Sequence, residues 1–182
     1  MKKNILKKIK YEFECWITFL FHSLLSLMGR GDGAGKIRGF LLRLYGFKFG
    51  KKVCIRNNVR LGSPNDGISI GEGTGIGDNV YFDCTGEITL GKYCDIGFNN
   101  VFITSSHEIQ SNDRTLRPVT APNPITIEDY VWIGANCTII GPITIGKGSV
   151  IGAGSVVNKD VPPGVLSAGV PAKIIRVISA ES

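Results

Sequence analysis

The stretch from Pro124 to Val161, PITIEDYVWIGANCTIIGPITIGKGSVIGAGSVVNKDV, carries an aliphatic residue at every sixth position. These residues are Ile127, Ile133, Ile139, Ile145, Ile151 and Val157. An amphipathic helix would place apolar residues every three or four positions, and a half-buried strand every two. A period of six predicts a solenoid in which each hexapeptide forms one short strand and one turn, with the aliphatic side chain pointing inward.

The same period occurs earlier in the chain, with interruptions. One register runs through Ile70, Ile76, Phe82 and Ile88, and a second resumes two residues later through Leu90, Ile96 and Phe102. Ile55 and Leu61 are also six apart, so we expect about five or six coils between Val53 and Val161. The largest break, residues 104–123, is the candidate functional loop, because a segment that leaves a regular repeat commonly has another role.

Positive charge is concentrated at the N-terminus. Residues 1–52 contain 12 Lys and Arg and 3 Asp and Glu, a net charge of +9, whereas residues 53–182 contain 9 and 12, a net charge of −3. The weakly acidic solenoid argues against nucleic-acid binding, and the basic segment suits an anionic surface. The five cysteines lack the spacing of a metal site, so no metal is expected. Cys94 and Cys137 occupy inward repeat positions, which favours buried thiols in a reducing cytoplasm.

Residues 3–28 are predicted to form an amphipathic helix. Its apolar stripe comprises Ile5, Ile9, Phe13, Trp16, Ile17, Leu20, Leu24 and Met28, at spacings of three and four. The densest apolar run, from Trp16 to Met28, is shorter than the ~20 residues that a membrane span requires. Two interpretations stay open. The stripe packs on the solenoid or on neighbouring subunits, or it lies in the plane of a membrane, at its inner face.

Residues 29–36, GRGDGAGK, resemble a phosphate-binding loop only superficially. That motif needs Gly at position 30 and Ser or Thr at position 37, where the chain has Arg30 and Ile37. The glycines instead predict a flexible linker. A short second helix is expected from Phe40 to Tyr45, and Gly46 is expected to end it.

The chain is therefore divided into three parts. Residues 1–52 form a helical extension and linker, residues 53–161 form the solenoid domain with a loop insertion at 104–123, and residues 162–182 form a C-terminal tail.

His107 is the candidate catalytic residue. It follows the predicted strand that ends near Ile103, at the mouth of the long loop. Imidazole titrates near neutral pH, so a histidine beside a cleft can act as a general base. The other histidine, His22, lies in the apolar N-terminal segment. Asp83 and Asn100 lie near strand ends that lead towards the same loop, and they are candidate acceptor-binding residues.

Several motifs resemble those of the hexapeptide-repeat acyltransferases, especially the maltose, galactoside and nodulation O-acetyltransferases and the acetyltransferases of bacterial surface polysaccharides. The motifs are the hexapeptides, Ser106-His107, residues 127–135 (IEDYVWIGA), residues 151–160 (IGAGSVVNKD) and residues 168–173 (AGVPAK). The resemblance covers roughly residues 53 to 177. It implies an all-β, left-handed parallel β-helix, a homotrimer with active sites between subunits, and acetyl-CoA as the acyl donor.

The resemblance also implies roles at the reacting centre. His107 matches the catalytic base, Trp132 matches the residue that lines the acetyl and acceptor end of the groove, and the backbone N–H of Ala135 matches the group that faces the thioester carbonyl. Asp83 matches an acceptor-binding position only with a gap in the alignment.

Further positions match contacts to the rest of the cofactor. Ala153 and Asn158 match contacts to the pantetheine arm, although relatives commonly have Thr where this chain has Asn158. Lys159, Lys173 and Arg176 match a basic region near the nucleotide phosphates.

The resulting expectation is a cytoplasmic, acetyl-CoA-dependent O-acetyltransferase that modifies a saccharide in bacterial surface polysaccharide biosynthesis. The insertion from Glu108 to Asn123, with Arg114 and Arg117, suits a large acceptor that is anionic or lipid-linked. Two alternatives stay open. One is an N-acetyltransferase of a nucleotide-linked amino sugar, which the same histidine would serve, and the other is a catalytically inactive trimeric scaffold.

Overall fold

The computed structural model of the protein describes residues 20, 23, 27, 29, 31–61, 67–106 and 122–178. Within these residues, helix α1 (Asp32–Tyr45) precedes a solenoid built of short strands.

Helix α1 begins well before the predicted Phe40, so the prediction of a linker up to residue 36 is wrong. Gly35 and Gly39 lie on the buried face of the helix. A Cβ atom at Gly35 would lie 2.5 Å from the Sγ atom of Cys54, and one at Gly39 would collide with the first coil of the solenoid. The glycines therefore permit close approach of the helix to that coil, and tertiary packing overrides their low helix propensity.

The predicted end of the helix is confirmed. Gly46 adopts the left-handed conformation that ends many helices, and its N–H group donates to the carbonyl oxygen of Arg43 at 3.1 Å.

The strands form three sheets, named here in the order in which the chain first visits them. Sheet A contains β1 (Lys48–Phe49), β3 (Ile68–Ile70), β6 (Ile88–Leu90), β9 (Ile125–Ile127) and β12 (Ile143–Ile145). Sheet B contains β2 (Cys54–Ile55), β4 (Gly75–Ile76), β7 (Asp95–Ile96), β10 (Trp132–Ile133), β13 (Val150–Ile151), β15 (Val165–Gly169) and β16 (Ala172–Val177). Sheet C contains β5 (Tyr81–Phe82), β8 (Val101–Ile103), β11 (Thr138–Ile140) and β14 (Val156–Val157).

The chain visits the three sheets in the order A, B, C on each turn, and strands of successive turns pair in parallel. The result is a β-helix of triangular cross-section with three corners, A–B, B–C and C–A. Only the last pair departs from this pattern, because β16 returns antiparallel to β15 and so extends sheet B. The regular pairing begins at β1, slightly ahead of Val53.

The aliphatic residues of the repeat form the core, as predicted. All six of those between Ile127 and Val157 are at most 1% exposed. Burial of one such side chain contributes about 1.5–3 kcal/mol. The two-residue slip of the register also has a structural cause. Ile88 and Leu90 are both buried because alternate residues of β6 share one face, so the extra residues lie in the turn between β5 and β6.

A ladder of asparagine side chains fixes the B–C corner. It consists of Asn58, Asn79, Asn99 and Asn136, each with a φ between 53° and 59°. Asparagine tolerates this left-handed conformation better than most residues with a side chain. The Nδ2 atoms of the first three each donate to the Oδ1 atom of the asparagine on the next coil, at 2.9, 3.0 and 3.1 Å in turn. The ladder therefore holds the spacing of the coils beside Ala135.

Candidate active site

One outward-facing row of residues crosses all of sheet B. Register pairs join Cys54, Gly75, Asp95, Trp132, Val150, Leu166 and Arg176 in succession. We call these seven residues the sheet B row. Residues paired in register share a face of their sheet, and neighbouring strands lie ~4.8 Å apart. The row is therefore a straight track on the surface, with Trp132 near its centre, 55% exposed.

Two backbone amides beside the row are open to a ligand. Ala135 and Ala153 follow sheet B strands at the B–C corner, and within the described part of the chain neither N–H group donates a hydrogen bond. A glycine of the preceding coil lies directly against each of these amides. A Cβ atom at Gly97 would lie 2.8 Å from the Ala135 nitrogen, and a Cβ atom at Gly134 would lie 2.7 Å from the Ala153 nitrogen.

Two cationic side chains end the sheet B surface. On β16, Lys173 pairs with Ala168 and Arg176 pairs with Leu166, and both basic residues are exposed. The predicted tail is thus in part a hairpin that carries these charges onto sheet B. Cationic side chains at this edge suit the phosphates of a nucleotide.

Asp83 ties together the chain segments at the C–A corner. Its Oδ2 atom accepts hydrogen bonds from the Ser105 hydroxyl at 2.6 Å and the Thr104 N–H group at 3.2 Å, and its Oδ1 atom accepts from the Thr85 hydroxyl at 2.7 Å. Burial by itself would raise the pKa of Asp83, but these hydrogen bonds stabilise the carboxylate and lower its pKa below the usual value. The ionised carboxylate therefore anchors the backbone just before His107.

His107 itself lies outside the described residues, as do Arg114 and Arg117. The described residues on either side of the long loop meet at the C–A corner, where the Asn123 amide donates to the Ser106 hydroxyl at 3.2 Å. The loop that contains His107 thus starts and ends at this corner. The catalytic role of His107 stays a prediction.

Asn158 and Lys159 follow β14, so they also lie at the C–A corner, and both are exposed. In a triangular cross-section the C–A corner is opposite sheet B. Within one chain, Trp132, Ala135, Ala153 and the two hairpin cations therefore lie on the sheet B side of the solenoid. Asp83, Asn158 and Lys159 lie at the C–A corner, on the opposite side.

The expectation that Asn100 binds an acceptor is not compatible with its position. The residue is 0% exposed. Its Nδ2 atom donates to the carbonyl oxygens of Gly97 and Gly134 at 2.8 and 2.9 Å, and its Oδ1 atom accepts from the Cys137 N–H group at 2.6 Å. Asn100 therefore joins two successive coils from inside the B–C corner.

Sequence reasoning missed Asp95, the neighbour of Trp132 on the row. Asp95 precedes the inward Ile96 as Trp132 precedes Ile133, so alignment of the two hexapeptides could have identified it. Asp95 also lines a cleft of about 530 Å³ between sheet B and the first turn of α1. Exposed aromatic and cationic side chains share this cleft, namely Tyr93, Phe98, Lys36, Lys52 and Arg56.

The buried cysteines offer no chemistry to the site. Cys94 and Cys137 are 2% and 1% exposed and unpaired, as predicted from their inward repeat positions. Burial raises the pKa of both thiols, so neither is a ready nucleophile. Among the described residues there is also no group of three or more His, Cys, Asp or Glu side chains that could hold a metal ion.

Comparisons with known proteins agree with this architecture. Residues 124–159 match the family described as bacterial transferase hexapeptide (six repeats). WcaF of Escherichia coli (strain K12), by its name an acetyltransferase of colanic acid biosynthesis, is 37% identical over 139 residues, which cover 76% of this chain and 74% of that protein.

Two solved structures share the fold. A hexapeptide-repeat-containing acetyltransferase of Vibrio cholerae O1 biovar eltor, in complex with acetyl-CoA, has a TM-score of 0.75 and 36% identity, with 88% of this chain and 86% of that chain covered. A maltose O-acetyltransferase of Clostridium difficile 630 has a TM-score of 0.78 and 29% identity, with 93% and 89% covered. The predicted left-handed parallel β-helix is thereby confirmed, and the chain belongs to the hexapeptide-repeat acetyltransferase family.

Proposed function

We propose that the protein transfers the acetyl group of acetyl-CoA to a hydroxyl group of a saccharide, in the assembly of a bacterial surface polysaccharide. The observation that carries the proposal is the sheet B row, which aligns Trp132 with Arg176. The Ala135 amide and the exposed Lys173 of the same hairpin lie beside this row. The names of two relatives support the donor and the acceptor class, since one was solved with acetyl-CoA and another is a maltose O-acetyltransferase.

The row fits a long, linear donor with an anionic end. Trp132 and Arg176 are separated by three strand spacings, about 14 Å. Val150 and Leu166 lie between them and are partly buried apolar residues that suit an acyl-carrying arm. Lys173 and Arg176 would hold the phosphates, and the N–H groups of Ala135 and Ala153 would hold polar groups along the arm.

The chemistry requires a base and a donor of hydrogen bonds. A sugar hydroxyl has too high a pKa to attack a thioester unaided, so His107 is assigned the removal of its proton as the new bond forms. Negative charge then develops on the thioester oxygen, and the N–H group of Ala135, held on a rigid corner, is assigned to stabilise it. Loss of one such donor typically costs ~10²-fold or more in rate. The C–S bond of the thioester then breaks, and CoA leaves as the thiol with the proton that His107 took from the sugar hydroxyl.

We further propose that each active site is shared by two subunits of a homotrimer. Trp132 lies on sheet B, whereas Asp83 and Ser106, the last described residue before His107, lie at the opposite C–A corner. A second copy of the chain can bring its C–A corner against sheet B of the first, and cyclic symmetry then repeats the same contact three times.

The cleft beside Asp95 is assigned to the acceptor. It continues the row beyond Trp132, on the side away from Arg176, and its aromatic side chains Tyr93 and Phe98 can pack against sugar rings. Carboxylates such as Asp95 can accept hydrogen bonds from sugar hydroxyls. WcaF is by its name an acetyltransferase of colanic acid biosynthesis, and this name supports an acceptor from a comparable pathway.

The test is release of CoA thiol from acetyl-CoA with free, nucleotide-linked and lipid-linked sugars and with amino sugars. His107→Ala is compared with His22→Ala, which removes the other histidine. We expect acceptor-dependent release that His107→Ala reduces by ~10²-fold or more and that His22→Ala retains. Release with amino sugars alone would make the protein an N-acetyltransferase. Absence of both release and CoA binding would favour a scaffold and would refute the proposal.

A further inference from the structure

Helix α1 has one face buried against the solenoid and an exposed apolar face on the opposite side. Gly35, Arg38, Gly39 and Leu42 are buried against the first coil. The opposite face carries Ile37, Phe40 and Leu44, which are 49%, 58% and 69% exposed. We call these three residues the outer face. A helix of a soluble domain normally presents polar residues on the side away from the core, so this outer face calls for a partner.

Contacts of the buried face with the rest of the chain keep the outer face exposed. The guanidinium group of Arg38 donates to the carbonyl oxygen of Ile55 at 3.1 Å and to that of Gly29 at 2.5 Å. Asp32, in the first turn, forms an ion pair with Arg56 at 2.6 Å. These contacts and the two glycines on the buried face prevent rotation of the helix that would bury the outer face against the solenoid.

Positive charge borders the outer face. Lys36 and Arg43 lie on α1 beside it, Lys48 follows the helix, and all three are exposed. The segment that precedes α1 also combines positive charge with exposed apolar residues. Residues 1–52 have a net charge of +9, and Leu20 and Leu27, which the structure describes, are 60% and 80% exposed.

The exposed apolar residues and the cations beside them help to decide between two possible partners of the outer face, a second copy of the chain and an anionic bilayer. A second copy that packed its outer face on the same face of the first would bring identical cations together, which is unfavourable. An anionic bilayer gives each of these lysines and arginines a favourable partner near its surface. The helix would lie in the plane of the interface, because its exposed apolar residues are confined to one face. In the described part of the chain no helix is both long and apolar enough to cross a membrane.

We propose that α1 docks the protein on an anionic lipid surface through Ile37, Phe40 and Leu44, with Lys36 and Arg43 against the headgroups. Because Asp32 and Lys36 also line the cleft, docking would bring the opening of that cleft close to the bilayer. The docking surface does not depend on the acetyltransferase activity.

The test is flotation of the full chain with vesicles of phosphatidylcholine and phosphatidylglycerol, compared with vesicles of phosphatidylcholine alone. The triple variant Ile37→Gln, Phe40→Gln, Leu44→Gln keeps good helix-forming residues and removes the outer face. We expect it to bind anionic vesicles about tenfold or more weakly than the wild type. The double variant Val170→Gln, Val177→Gln removes apolar residues that are more exposed than the outer face, at 72% and 71%, and that lie at the other end of sheet B from α1. This variant should float like the wild type.

A second variant controls for the possibility that the triple variant loses binding because it misfolds. Lys36→Glu combined with Arg43→Glu leaves the outer face intact and should weaken binding to anionic vesicles alone. Thermal unfolding and size-exclusion chromatography report whether each variant remains folded and in its usual oligomeric state. Unchanged flotation of both variants, or a change of oligomeric state without loss of flotation, would overturn the proposal.

Discussion

The side chains of Trp132 and Arg176 stand in one register row of sheet B, although they belong to strands of opposite direction. Val150 and Leu166 lie between them, and the hairpin of β15 and β16 turns Arg176 back onto the row. The aromatic residue assigned to the reacting centre and the cation assigned to the phosphates are thus about 14 Å apart on one flat surface. A rigid sheet holds that separation without any loop.

Arg176→Ala is expected to raise the KM for acetyl-CoA and to leave kcat nearly unchanged. Arg176 is assigned to phosphates that are remote from the reacting atoms, so its loss removes binding that is common to ground state and transition state. A charge-assisted hydrogen bond contributes about 1.5–3 kcal/mol, which corresponds to about tenfold or more in KM. Steady-state kinetics measure the effect. Arg60→Ala, which removes an exposed arginine near sheet C, should have no such effect, and equal changes in both variants would contradict the assignment.

Mixing two inactive variants is expected to restore activity. In a cyclic trimer of His107→Ala and Trp132→Ala chains, each mixed trimer contains one interface at which the intact His107 and the intact Trp132 meet, so random mixing should recover about a quarter of wild-type activity. Co-expression with different affinity tags, followed by CoA-release assays, measures this recovery. Each variant assembled alone is the control. No recovery in verified mixed trimers would place the whole site within one chain.

Gly97→Ala is expected to destabilise the protein by about 1–3 kcal/mol, because its Cβ atom would press on the backbone of the next coil. The nearest atoms are the Ala135 nitrogen and the Gly134 carbonyl carbon, both at 2.8 Å. Gly75→Ala is the matched control, because its Cβ atom would meet only an Asp95 carboxylate oxygen, at an ordinary 3.5 Å. Thermal unfolding compares the two, and an equal loss of stability would contradict the packing explanation.

Asp83→Asn is expected to lower the free energy of unfolding at neutral pH by about 1–3 kcal/mol, because an amide cannot accept all the hydrogen bonds of the carboxylate. The pKa of Asp83 is lowered in the folded state, so its contribution is present above the unfolded pKa of about 3.9 and is lost as the pH falls through the lower folded value. The wild type should therefore lose more stability than the variant on acidification. Urea unfolding at several pH values tests this, with Glu87→Gln, an exposed carboxylate at the same corner, as control.

Some features of the site followed from residue types and local spacing. The alternation within β10 places Trp132 outward and Ile133 inward, and the motif around Trp132 led to the family that the comparisons confirm. The role of Asn100 could not be predicted from the sequence, because a polar residue beside a strand end can point outward to a ligand or inward to form hydrogen bonds with the backbone. Only the contacts with Gly97, Gly134 and Cys137 decide between these roles.

The sequence by itself determined the coil. A hexapeptide is one strand and one turn, so the positions from Ile127 to Val157 had to face a common core wherever the coils were placed. The tertiary structure alone decided which residues of different coils become neighbours. The pairing of Trp132 with Asp95 depends on how many residues leave the coil between them, and the glycines near Gly35 form a helix because they pack on Cys54. A period describes each turn of the chain locally, whereas neighbours across turns depend on insertions and close contacts that only the folded chain contains.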